Sequence, residues 1–210
     1  LDTFLKNVKT DDHLEPLDDE IIYPQEADEP YEEEQCNMKW INIENESPAV
    51  FCASIIEDYL PDNVKDFSYP DLTFLSCTNQ RGWEVVIELI NRKINVLDTY
   101  PYSVMKFKEE KGKKIYIADD TLRKQKRTED WELTKDKVKA STLHSFQGFE
   151  TSCLVFLIEP KRKSQSWRNY FKDIYVGLTR VKSNSQNFKS EIHVINMEPE
   201  LNTYGETWPG

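Results

Sequence analysis

The chain has 210 residues and carries 27 Lys and Arg against 38 Asp and Glu, a formal net charge of −11. Hydrophobic residues make up 38 %, enough for one core, so we expect one domain with appendages or at most two small domains. No apolar run reaches bilayer length, no secretory signal is visible, and Cys36, Cys52, Cys77 and Cys153 lack zinc-ligand spacing. These features argue against a membrane partner or a metal site, and they favour a reducing, intracellular compartment, cytoplasmic or nucleoid-associated.

The charge is uneven. Residues 1–35 hold 13 acidic and 2 basic side chains, and the other 175 residues hold 25 of each sign. "LDTFLKNVK" (1–9) has Leu1, Phe4, Leu5 and Val8 at helical spacing. The acidic, proline-containing run 10–35 reads as a linker or extended arm, with mimicry or repulsion of nucleic acid as its functional alternative. The globular pattern begins near residue 38. "MKWINIE" (38–44) alternates like a strand. Residues 47–61 read as a helix with Ser47 as N-cap and Pro48 in the first turn. "DLTFLSCT" (71–78) is the next strand. A helix over 80–93 is expected to turn Trp83, Val86, Ile87 and Ile90 inward. "INVLDTY" (94–100) is a further strand, and the Lys-rich stretch 101–136 yields only a weak strand at 114–119. Strands at 137–143 and 152–159, a helix over 166–182 and a strand at 191–197 complete the body. Such alternation predicts an α/β domain, a mostly parallel sheet with helices on both faces.

Sheets of that kind bind ligands at loops beyond the carboxyl ends of their strands. "HSFQGFE" (144–150) is such a candidate loop. His144 and Gln147 offer donors, Glu150 offers an acceptor, and Gly148 permits unusual backbone angles. From the residues alone, a phosphate- or ribose-binding loop and an ordinary turn with a satisfied histidine both stay open. Arg180, near the end of the helix that starts at Ser166, is either a dipole-matched surface residue or a guanidinium aimed at a phosphoryl group. The body is basic in patches. Residues 91–140 hold 14 basic and 9 acidic side chains, and residues 161–189 hold 8 and 1. Such patches could meet phosphates, although Trp167, Tyr170 and Phe171 at helical spacing read as core.

Taken in order, "STLHSFQGFETSCLVFLI", "DIYVGLTRVKSN" and "EIHVINM" resemble motifs V and VI of superfamily 1 helicases of the UvrD/Rep class, followed by an apolar strand. The family patterns are T-x-H-x-x-K-G-L-E-F and Y-V-A-x-T-R-A. "LTFLSCTNQRGWEVVIELINRK" resembles the motif IV strand and helix, and the resemblance spans about residues 38–197. It implies a second RecA-like domain without a Walker A loop of its own, flanked by a helix and acidic linker (1–37) and a tail (201–210). Arg180 would be the arginine finger, Gln147 would lie near the phosphates, and Gly148 and Glu150 would meet the nucleotide. Thr142, His144 and Thr179 would serve the nucleic acid, with Tyr175 coupling the two sides.

The sequence departs from the family in two places. Gln147 stands where Lys is usual, and Cys77 stands at the motif IV Arg, leaving Arg81 as the replacement nucleotide contact. The implied cofactor is ATP with Mg²⁺, the metal's ligands lying on a first RecA-like domain, because no G-x-x-x-x-G-K-[ST] loop occurs here. The chain opens on Leu1, and we expect it to be part of a longer motor, inactive by itself, with single-stranded DNA or RNA as partner. Two rivals remain: a degenerate helicase half that only binds, and an unrelated α/β enzyme using His144 and Glu150 as an acid–base pair.

Overall fold

The computed structural model describes residues 36–44, 46–64, 66–110, 113–146, 148–182 and 190–207. The amphipathic segment 1–9, the acidic run 10–35 and Gln147 lie outside the described residues. The body is built on a six-stranded, wholly parallel sheet. Its strands are β1 (Cys36–Asn42), β2 (Leu72–Ser76), β3 (Val96–Asp98), β6 (Val138–Thr142), β7 (Cys153–Ile158) and β8 (Ser190–Asn196). A separate antiparallel hairpin, β4 (Met105–Glu110) and β5 (Lys113–Ala118), completes the numbering. The sheet order is β1-β8-β7-β2-β6-β3.

The central strands β2, β7 and β8 are buried along their whole length. This is why they read as continuous apolar runs instead of alternating ones. Successive residues serve opposite faces. Leu154, Phe156 and Ile158 join one core, and Cys153, Val155 and Leu157 join the other. Helices α1 (Pro48–Asp58) and α2 (Asn79–Asn91) cover the second face. Helix α4 (Trp167–Leu178) covers the first, together with Trp131 and the 3₁₀ segments Leu143–Phe146 and Pro199–Thr207. The expected α/β sheet with helices on both faces is therefore present, and it is consistent with a RecA-like fold.

Four local expectations change. Helix α2 buries Gly82, Val85, Val86 and Leu89, while Ile87 and Ile90 are 42 % and 54 % exposed. Gly82 decides this register: a Cβ there would lie 2.1 Å from the buried Tyr100 ring, so only glycine lets the helix approach. Ser47 occupies the N-cap of α1, but its side chain makes no capping hydrogen bond. In 101–136, the hairpin is followed by helix α3 (Asp120–Gln125), a π turn (Lys126–Asp130) and a last helical turn (Trp131–Leu133). Residues 199–207, partly in the stretch expected as a tail, place Leu201 and Tyr204 in the core.

Candidate functional site

The strands are parallel, so the sheet has one carboxyl edge and one amino edge, and the candidate residues divide between them. Thr142 ends β6 at the carboxyl edge. Its Oγ1 accepts from the Ser145 N–H at 3.3 Å and holds the 3₁₀ turn in which His144 is exposed. Arg81 belongs to the same edge, because it sits in the first turn of α2 directly after β2. Its guanidinium pairs with Glu84 at 2.8 Å.

The loop then leaves that edge. Residues 143–152 cross the α4 face and reach the amino ends of the strands before β7 begins. Phe146 and Phe149 pack against Trp131 on the way, with centroids 5.8 and 5.6 Å from its ring. Gly148 adopts φ +89°, the left-handed region that favours glycine, and a Cβ there would meet nothing within 4 Å. Its glycine is required by backbone conformation and not by crowding.

At the amino edge the two motif-like segments are stitched together. The Thr151 N–H donates to Arg180 O at 3.0 Å, and the Lys182 N–H donates to Thr151 O at 2.9 Å. Thr151 and Val181 form a parallel bridge. The buried Thr151 hydroxyl donates to Asp71 O at 2.6 Å, anchoring the loop beside the entry to β2. Glu150, exposed, and Arg180, partly exposed, thus flank one short junction. The Arg180 Nε donates to Val176 O at 3.3 Å, and the Thr179 hydroxyl donates to the same carbonyl at 3.0 Å. Both residues lie just past α4, whose last turn they close.

This geometry sorts the expected residues between the two edges. The loop is not a carboxyl-edge loop along its length: it begins there and ends at the opposite edge. Arg81, expected beside the nucleotide, lies at the edge away from Glu150 and Arg180, and Thr179, expected with Thr142 and His144, lies with Arg180. His144 and Glu150, the acid–base pair of the rival enzyme reading, stand towards opposite ends of the crossing loop.

Two cations near the junction were not singled out from the sequence. Lys139 on β6 lies between Val138 and Ala140, which face α1 and α2, so it projects to the α4 face. Its Nζ stands 5.4 Å from the Trp131 ring centroid. Burial pushes its ammonium pKa below the ordinary lysine range; the Asp71 carboxylate opposes this and the Lys182 charge adds to it. Among the described residues, Lys139, Arg180, Lys182 and Glu150 enter no ion pair. At the carboxyl edge the buried Glu159 accepts from the Thr78 N–H and Oγ1, both at 2.7 Å, at the start of α2, while the buried Asn79 Oδ1 beside it has no hydrogen-bond partner among the described residues.

No family model matches the chain, and no curated protein does. Among solved structures it is similar to Cas3 from T. fusca, solved as Cas3-ADP, at 8 % sequence identity and a TM-score of 0.41. The match covers 78 % of this chain and 18 % of that one, so the chain spans under a fifth of the other protein's length. Among the described residues, no helix is long and apolar enough to cross a membrane.

Proposed function

We propose that this chain is the second motor domain of an ATP-dependent nucleic-acid helicase or translocase of the UvrD/Rep type. The observation that carries the reading is the hydrogen-bonded junction of Thr151 with residues 180–182, which joins the two motif-like segments at one sheet edge. A free carboxylate and unpaired cations suit the hydroxyls and phosphates of a nucleotide, so the residues present fit ATP. Glu150 would accept from ribose hydroxyls, and Gly148 would let the backbone come close. Arg180 would neutralise charge that develops on the terminal phosphate as it leaves. Mg²⁺ when bound would offset phosphate charge, with its ligands on a first RecA-like domain. Thr142 and His144, at the other edge, would meet the backbone of single-stranded DNA. The nucleotide and the strand would then act on opposite ends of one loop.

The test is single-stranded-DNA-stimulated ATPase of a protein carrying this chain together with a Walker A-bearing domain. Arg180→Ala is expected to lower turnover by about a thousandfold or more. Stability should stay within about 0.5 kcal/mol, since the side chain donates only to its own helix. Near-normal turnover in a well-folded Arg180→Ala protein would sink the reading. A folded, complete protein without ATPase would instead mark a degenerate half that only binds.

A further inference from the structure

We propose that Lys139, which lies in neither motif, is a second phosphate contact for a nucleoside triphosphate held at the amino edge beside Arg180; this rests on the motor reading above. The elements at this edge form a continuous row. Lys139 lies near the start of β6, Asp71 precedes β2, Thr151 precedes β7, and Arg180 to Lys182 precede β8. The Thr151 hydroxyl closes the gap between the entries to β2 and β7, the middle pair of the row, at 2.6 Å from Asp71 O. Trp131 closes the other side, with Lys139 over its ring at 5.4 Å and Phe149, the neighbour of Glu150, at 5.6 Å. Lys139 is thus held against Trp131 in the row of elements that ends at Arg180.

A half-buried ammonium in no close ion pair is costly, and the ring beneath it and the Asp71 and Glu132 charges offset only part of that cost. A polyanion would remove the remainder. Burial, with the Lys182 charge adding, holds the Lys139 pKa below its ordinary range against the opposing Asp71 and Glu132 carboxylates. At the carboxyl edge the motif IV position holds Cys77, and Arg81 beside it is committed to Glu84. Lys139 supplies a cation on the edge where the junction stands. Glu150 selects the kind of anion. Its exposed carboxylate repels a continuous phosphodiester chain but accepts hydrogen bonds from the hydroxyls of a single nucleotide.

Titration calorimetry of the 210-residue chain with ATP, inorganic tripolyphosphate and an oligothymidylate tests this. Lys139→Met keeps the aliphatic stem over Trp131 and removes the charge. It is expected to weaken ATP and tripolyphosphate about tenfold, while Lys139→Arg restores binding and the exposed Lys124→Met changes nothing. Circular dichroism of Lys139→Met checks that it is folded. Unchanged ATP affinity in folded Lys139→Met overturns the proposal, as does a wild-type chain that binds neither anion, or a loss confined to the oligothymidylate. Unchanged affinity alongside an ATPase abolished by Arg180→Ala removes Lys139 alone and leaves the motor reading standing.

Discussion

Gly177, inside α4, packs directly on a buried ring of the sheet. A Cβ at Gly177 would lie 2.6 and 2.8 Å from two ring atoms of Phe156, which is fully buried on β7. Overpacking a core of this kind costs roughly 1–3 kcal/mol. Replacing a helical glycine by alanine returns about 1 kcal/mol through propensity. Both contacts fall below any distance real Cβ atoms adopt, and the Phe156 ring has no space to yield, so the upper half of the strain range applies. Gly177→Ala should then destabilise the domain by about 1–2 kcal/mol net. With a urea slope of about 2 kcal/mol/M, the unfolding midpoint falls by roughly 0.5–1 M. Phe156→Leu makes room, so adding Gly177→Ala to it should cost about 1 kcal/mol less than in the wild type. A midpoint that rises on Gly177→Ala would refute the reasoning, because it would show propensity acting without strain. The helix end carries Thr179 and Arg180, so the same substitution also moves the candidate finger.

Two further outcomes are expected. His193 is 3 % exposed, and burial, with the Lys39 charge adding, pushes its imidazole down from 6.5 to about 4. Below about 6.5 the unfolded chain takes up a proton that the folded chain refuses, so this stability is whole above that pH and drains away towards pH 4. Urea midpoints measured between pH 7 and 4.5 should fall more steeply for the wild type than for His193→Phe; equal slopes would remove His193 from the acid response. On α2, Leu89→Ala should cost about 2–5 kcal/mol and Ile87→Gln no more than about 0.5 kcal/mol. The reverse order in denaturation would return the helix to the face read from sequence.

The sheet was legible because β2, β7 and β8 are apolar without interruption, and burial on both faces demands that. The face of α2 was not. Its large apolar residues fall on two overlapping stripes, and Ile87 and Ile90 suit a helical period as well as Val86 and Leu89 do. Gly82 was the usable signal, since a glycine inside a helix marks a close approach, here by Tyr100. Strand β4, "MKFKEE", carries too little alternation to be seen, and Trp131 is buried at the end of a charged stretch that reads as solvated. The candidate residues came from the sequence, and their arrangement came only from the fold. Sequence proximity grouped Thr142, His144 and Glu150, whereas parallel strands require the intervening loop to travel from one edge to the other. Lys139 was invisible for a related reason: a lysine inside a strand reads as facing water, and only the packed Trp131 gives it a defined place.

Strands β3 and β6 are neighbours in the sheet and run parallel. Their connection therefore needs only about a dozen residues to return from one edge to the other. This chain uses residues 99–137, with a hairpin pairing only with itself and a helical segment pinned back by Arg123 to Thr99 O and Lys126 to Asp98. The excess length adds no strand to the main sheet and displaces no register. The crossover is thus a place where chain can be lengthened, shortened or exchanged without rewiring the fold, provided Trp131 and its approach to the Phe149 loop are kept. An exchange of chain here would leave the order and register of the six strands as they are.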